Sequence, residues 1–217
     1  MVAIDGPSGS GKSTIARGVA CALGLRVLDT GAMYRAVAVA ALEANVALDD
    51  EQACTHVART HEIANERGVT TIDGRDVSGQ IRGPEATAAV SIVAAHPGVR
   101  SVLVAAQRAW IARHGGGVVE GRDIGTVVFP DAPLKVYLTA SDDERARRRQ
   151  RDERASDRVV GVDEVRSALH RRDQLDSRRA VSPLRVADDA IAIDTTARGV
   201  DDIVADLVAR AHEAGID

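Results

Sequence analysis

Gly6-Pro-Ser-Gly-Ser-Gly-Lys-Ser13 is the stretch on which the reading of this chain turns. It matches Gly-x-x-x-x-Gly-Lys-Ser/Thr at Gly6, Gly11, Lys12 and Ser13. The short apolar segment Val2–Asp5 precedes it and reads as a strand, and a helical pattern follows it to about Leu23. Glycines let successive backbone N–H groups curl around phosphate oxygens, and the helix beyond adds the positive end of its dipole. Gly6, Pro7, Ser8, Gly9, Ser10, Gly11, Lys12, Ser13 and Thr14 are therefore expected to cradle the phosphates of a nucleoside triphosphate. Lys12 would reach the transferring phosphates, and the Ser13 hydroxyl can help hold Mg²⁺. A chance Gly/Ser turn is the alternative. The strand–loop–helix context opposes it, and so does the choice of lysine: of 28 basic residues only Lys12 and Lys135 are not arginine.

Outward from the loop, Gly24 reads as the residue just past the helix, Arg26–Leu28 as a second strand, and Thr30 as the N-cap of a long helix through Met33, Val37 and Ala41. Asp49 or Asp50 is expected to cap another helix reaching about Arg59. From His61 to Arg82 the pattern changes: short β-prone pieces, Val69–Ile72 and Val77–Ile81, lie around the turn signal Asp73-Gly74. Helical patterns return at Pro84–Ala95 and from Pro97 to His114. Val118–Glu120 and Leu134–Thr139 read as strands, Ser141 as a helix cap, Val162–Leu175 as a helix, Ala190–Asp194 as a last strand and Val200–Ala214 as a last helix. Strands alternating with helices imply a parallel sheet covered on both faces, with a small antiparallel insert.

The 217 residues suit one compact unit with an inserted piece, and 45% apolar with 28% charged residues is ordinary for a globular protein. A formal net charge of -4 argues against a general grip on nucleic acid polymers. Cys21 and Cys54 show no metal-binding spacing and are expected to be small buried hydrophobes in a reducing compartment. No apolar run approaches the ~20 residues that cross a bilayer. The chain enters its first strand at once, which leaves no room for a signal peptide. No membrane partner and a cytoplasmic location are the expectations, with the chain acting as a monomer.

Phosphate binding alone leaves the reaction open. A GTPase needs an Asn-Lys-x-Asp base-reading motif, and the sequence has none. Small-molecule kinases need a second anion site and a cover against water, and four stretches offer these. Asp29-Thr-Gly-Ala-Met-Tyr-Arg35 follows the second strand, with Thr30, Tyr34 and Arg35 within a turn of a helix start; an ordinary capped helix is its bland reading. Glu120-Gly-Arg-Asp-Ile-Gly125 puts Arg122 and Asp123 at a carboxyl strand end, where open α/β sheets bind ligands, although a structural turn with a local ion pair fits as well. Arg145, Arg147, Arg148, Arg149, Arg151, Arg154 and Arg158 could deliver guanidinium forks to phosphate or form a solvated basic face. In Arg171–Arg179, Arg172 and Asp176 are four apart and share a helix face, where a surface salt bridge is the plain expectation.

Together IDGPSGSGKST (4–14), LDTGAMYR (28–35), DVSGQIR (76–82), EGRDIGTVVFPDAP (120–133) and RRDQLDSRRAVSPL (171–184) resemble the bacterial cytidylate kinase family over nearly the whole chain. The resemblance implies an α/β P-loop kinase with a five-stranded parallel sheet flanked by helices, a small nucleotide-binding insert containing antiparallel β, and an Arg-rich lid. Residues 1–30, 115–140 and 180–217 would form the core, 31–114 the acceptor region with its β insert at about 61–82, and 141–179 the lid and flanking helices. It implies transfer of the ATP γ-phosphate to CMP or dCMP with Mg²⁺. Thr30, Tyr34 and Arg35 would face the acceptor's phosphate and sugar, and Ser91, Arg100 and Asp123 would read the cytosine edge. Arg122 and Arg179 would neutralise phosphate, and Arg172 and Asp176 would address the ribose. Lys12, Arg122, Asp123 and Arg179 would form the catalytic set, with Arg145, Arg148, Arg149, Arg151 and Arg158 in the lid.

Overall fold

The structure, a computed structural model, describes residues 1–154 and 160–216. The chain opens with strand β1 (Val2–Asp5), the glycine loop and helix α1 (Lys12–Ala22). Next come β2 (Val27–Asp29), α2 (Thr30–Glu43) and α3 (Glu51–Thr60). The insert is β3 (Ile63–Glu66), β4 (Val69–Ile72) and β5 (Arg75–Asp76). Helices α4 (Pro84–Val93) and α5 (Pro97–His114) lead to β6 (Val118–Gly121), and β7 (Leu134–Thr139) follows. The remainder is α6 (Asp142–Arg154), α7 (Val162–Ser177), β8 (Ile191–Asp194) and α8 (Val200–Glu213).

Five strands pair in the order β2-β6-β1-β7-β8, all parallel. Alternation along β1 divides its side chains between two cores, because successive Cβ atoms point to opposite faces. Ala3 joins Leu28, Val37, Leu103 and Val119 beneath α2, α4 and α5. Val2 and Ile4 join Ile15, Val19, Leu138, Ile203 and Leu207 beneath α1 and α8. Each such buried aliphatic side chain contributes about 1.5–3 kcal/mol, so a run buried on both faces holds β1 at the centre. The chain leaves β1 toward β2 on one side, returns through β6 and crosses to β7 on the other. This topological switch lies beside β1, and its crevice opens at the carboxyl ends of the strands. The insert forms a separate antiparallel sheet, β3-β4-β5.

Three expectations need correction. Asp29, not Thr30, caps α2: its carboxylate accepts from the Ala32 amide at 2.9 Å, while the Thr30 hydroxyl donates to the Glu120 carbonyl at 2.7 Å. Both residue types cap well, and a tertiary acceptor claimed the threonine. Val77–Ile81 is not a strand. Val77 and Ile81 are both buried, and the Ile81 amide donates to the Val77 carbonyl, so four-residue spacing makes a turn that runs into a 3₁₀ segment at Gln80–Arg82. Cys54 is buried, but Cys21 is exposed because the inward face of α1 is Ile15, Ala16, Val19 and Ala20. Among the described residues no single helix is long and apolar enough to cross a membrane.

Candidate active site

The glycine loop is shaped by its surroundings. A Cβ on Gly6, at φ +150°, would lie 2.2 Å from the Leu138 carbonyl oxygen, so β7 leaves room for glycine only. Lys12 is buried and its ammonium donates to the Pro7 carbonyl at 2.8 Å. The exposed Ser13 hydroxyl donates to the Glu120 carboxylate at 2.9 Å. Burial lowers the Lys12 pKa, with Arg122 adding to the effect, and burial followed by Asp29 pushes Glu120 up. Thr14 is exposed in the first turn of α1.

Above the loop lies a concentration of guanidinium groups. Arg122 Nε donates to Asp176 at 3.0 Å, Arg179 pairs with the other Asp176 oxygen, and Ser91 Oγ donates to that oxygen at 3.2 Å. Asp176 is 1% exposed, so one buried carboxylate gathers α4, α7 and the end of β6. Burial acts to raise its pKa, but Arg122, Arg179 and Arg172 hold it below the ordinary value. Arg172 is half-buried and its Nε has no hydrogen-bond partner among the described residues; burial, then Arg122 and Arg35, drive its pKa down. The expected helical pairing of Arg172 with Asp176 is thus electrostatic proximity, and the direct bonds go to Arg122 and Arg179. Arg35 donates to the Ile81 carbonyl and the Thr87 hydroxyl, both at 2.8 Å, and burial followed by Arg149 brings its pKa down to about 10.

A second buried pair lies alongside. Arg100 and Asp123 form an ion pair with side chains 4% and 5% exposed. Arg100 also stands 5.5 Å from the centre of the Tyr34 ring. Burial raises Asp123 against the opposing pull of Arg100 and Arg179, and raises Tyr34 to about 12. The Tyr34 hydroxyl and the Gln107 side-chain amide are both buried, and Gln107 acts on the Tyr34 hydroxyl.

The arginine-dense helix α6 divides by role. Arg145 donates to the Ser8 carbonyl at 3.1 Å and pairs with Asp173 and Asp142. Arg148 donates to the Thr195 hydroxyl at 2.8 Å and carbonyl at 2.7 Å, and that hydroxyl donates to the Ser10 carbonyl at 3.1 Å. Both therefore brace the glycine loop. Arg149 pairs with Glu153 at 2.5 Å, and exposed Arg151 reaches Glu144 at 3.4 Å. Arg158 lies outside the described residues.

The charged residues singled out from sequence lie within electrostatic reach of one another: Lys12 of Arg122 and Arg172, Arg35 of Arg122 and Arg149, Arg172 of Arg149 and Asp176, and Arg179 of Arg100, Arg122 and Asp123, while Thr14 is exposed. Sequence reasoning assigned no role to Asp5, Asp29, Glu120, Asp173 or Thr195. Acidic residues ending strands β1 and β2 were the available signal for the first two.

For Mg²⁺, Ser13 and Glu120 offer oxygen donors only, which suits a hard cation. Among the described residues no group of three His, Cys, Asp or Glu could hold a metal by itself. The remaining ligands would then be phosphate oxygens and water, the usual arrangement for Mg²⁺ at a nucleotide.

A phosphate loop at the switch point of a five-stranded parallel sheet, faced by a second cluster of cations, defines a P-loop kinase. The family model for cytidylate kinase matches residues 2–213, and the chain belongs to that family. The cytidylate kinase of Desulfitobacterium hafniense is 49% identical over 94% of this chain and 89% of its own length. That of Mycobacterium leprae is 48% identical over 96% and 93%. A bifunctional pantoate ligase/cytidylate kinase from Synechococcus is 50% identical over 90% of this chain, which spans only 37% of that longer protein. Among solved structures, a gluconokinase from Sinorhizobium meliloti superposes with a TM-score of 0.51 over 99% of this chain and 93% of its own, at 17% identity, a likeness of fold alone.

Proposed function

We propose that this chain transfers the γ-phosphoryl group of ATP to CMP or dCMP, with Mg²⁺. The observation that carries the proposal is the cluster itself: Lys12, Arg35, Arg122, Arg172 and Arg179 crowd together, with Asp176 the shared counter-ion of Arg122, Arg172 and Arg179, Glu120 and Asp5 beside Lys12, and Asp29 beside Arg35. Burial first, and then the neighbouring guanidinium groups, lower the pKa values of Lys12, Arg35, Arg172 and Arg179, so the cluster favours polyanionic ligands. One phosphate-bearing ligand belongs on the glycine loop and a second on the arginines.

The base is read by Arg100 and Asp123. Cytosine presents an amino donor beside acceptors. A carboxylate fixed by a guanidinium accepts from that amino group, and the guanidinium donates to the ring acceptors. Uracil puts a carbonyl where the amino group was, so the Asp123 oxygen facing it loses its donor and meets another acceptor. Tyr34 under Arg100 fixes the plane of the guanidinium.

Transfer needs no protein nucleophile. Lys12, Arg122 and Arg179 counter charge on the moving phosphoryl group, and the braced loop and acceptor arginines supply alignment. Mg²⁺, when bound with the nucleotide near Ser13 and Glu120, supplies further charge neutralisation. Asp123 orients the acceptor and is not assigned as a base. Arg149, close to Arg35, and Arg151 are the described α6 residues proposed to close over the phosphates.

The test is ADP release with ATP and Mg²⁺ across CMP, dCMP, UMP and AMP. CMP should exceed UMP and AMP in kcat/KM by about a hundredfold or more, the penalty for mispairing a buried polar edge. A folded sample that leaves CMP unphosphorylated would overturn the proposal.

A further inference from the structure

At the end of β1, immediately before Gly6, Asp5 is 4% exposed. Among the described residues no basic side chain lies within ion-pair distance of it. Its two oxygens accept instead from consecutive backbone amides, Oδ1 from Ile124 and Oδ2 from Gly125, each at 2.8 Å. These amides open a wide helical turn, Ile124–Val128, whose first N–H groups would otherwise be orphan donors. The turn then closes on the residue before it: the amides of Val127 and Val128 donate to the Asp123 carbonyl at 2.9 and 3.1 Å. The Asp123 carbonyl is thereby held by the turn that Asp5 anchors, and its side chain pairs with Arg100.

A carboxylate is the group this geometry requires. It accepts from two adjacent N–H donors at once. Asparagine has one carbonyl oxygen, and its NH₂ would confront the second amide and leave that amide buried without a partner. A buried carboxylate with no ion pair, beside a site for phosphates, is otherwise a poor choice.

We propose that Asp5 is a positioning residue for the acceptor base. Fixed by the strand that launches the phosphate loop, its carboxylate sets the turn that aims Asp123, and so registers the acceptor half-site against the donor half-site. The proposal rests on the reading that Arg100 and Asp123 face the acceptor base. Asp5 touches neither nucleotide and acts through Asp123.

The experiment pairs kinetics with amide hydrogen exchange on the full chain. Asp5→Asn should raise KM for CMP about tenfold, the size of one lost buried hydrogen bond, and lower the CMP-over-UMP preference. KM for ATP should stay within about twofold of wild type, because the glycine loop keeps its braces from Arg145 and Thr195. Exchange should quicken at Ile124 and Gly125 in the variant while β1 and α1 stay protected. Unchanged CMP kinetics, or equal losses for CMP and ATP, would overturn the assignment. Should the variant fail to fold, the wild type decides: amides of Ile124 and Gly125 that exchange as freely as exposed loops sink the idea. If the wild type shows no preference for CMP, the reading of the base site falls, and protection lost at those two amides still decides whether Asp5 holds the turn.

Discussion

Replacing Asp176 by asparagine isolates what one buried carboxylate does for the crevice. Asp176 is 1% exposed and accepts from Arg122 at 3.0 Å, from Arg179, and from Ser91 at 3.2 Å. The side chain of Arg179 is 6% exposed and that of Arg122 16%, so neither can recover full hydration once its partner is neutral. Breaking a buried pair costs about 3–5 kcal/mol, and asparagine, which keeps one acceptor oxygen and the shape, belongs at about 3. For a chain of this length, ~2–4 °C per kcal/mol places the drop in melting temperature at about 6–12 °C. Losing the negative charge also leaves Arg35, Arg122, Arg172 and Arg179 repelling one another. Sulfate, an inert dianion, should therefore stabilise Asp176→Asn more than the wild type. Melting followed by the fluorescence of Trp110, the single tryptophan and a buried one, in chloride and in sulfate measures both effects. A variant that melts within about 2 °C of wild type, under 1 kcal/mol, or that gains no more from sulfate, refutes Asp176 as the counter-ion of the site.

Further outcomes are expected. Lys12→Ala should abolish nearly all ADP release, yet melt no lower than wild type, since burial already disfavours its ammonium; full activity in the variant contradicts the phosphate-loop assignment. Asp123→Ala should erase discrimination between CMP and UMP while KM for ATP is retained, and steady-state kinetics with both acceptors reveal any failure. The Asp5 carboxyl, lifted by burial to about 6 from an ordinary 3.8 and pushed further by Asp123 against Lys12 and its two amides, links stability to pH. Because the folded value is the higher one, this stabilisation is complete below about pH 4 and is lost as pH rises through about 6. It amounts to about 3 kcal/mol. The melting-temperature difference between wild type and Asp5→Asn, which cannot titrate, should therefore shift in favour of wild type on acidification from pH 7 to pH 4; a difference independent of pH rules this out.

Much of the fold was legible because its signals are local. The glycine loop announces itself through residues whose backbone freedom and charge act within eight positions, and Leu134–Thr139 reads as a buried strand from its apolar content. The errors arose where neighbouring residues offer equivalent local chemistry. Asp29 and Thr30 are both competent caps, and the Glu120 carbonyl, 90 residues away from Thr30, settled which one served. Val77 and Ile81 satisfy strand and turn patterns alike until burial chooses.

The site was legible as residue types at strand and helix ends, and much less so as pairings. Arg172 and Asp176 share a helix face, so sequence spacing suggested their bond. The direct partners of Asp176 prove to be Arg179, three residues on, and Arg122, 54 residues away. Arg145 and Arg148 belong to an arginine run that looked uniform, yet the packing of α6 against the glycine loop turned them into braces.

By itself, then, the sequence determined that a phosphate loop joins a central strand to a helix, and which side chains are available to a second anion. Those properties follow from short-range backbone geometry and residue chemistry. Only the tertiary structure decided that Asp176 binds three groups at once, that Asp123 meets Arg100, and that Asp5 grips the turn carrying Asp123. A buried carboxylate takes whichever donors the converging elements bring within 3 Å or so, and no local pattern encodes that convergence.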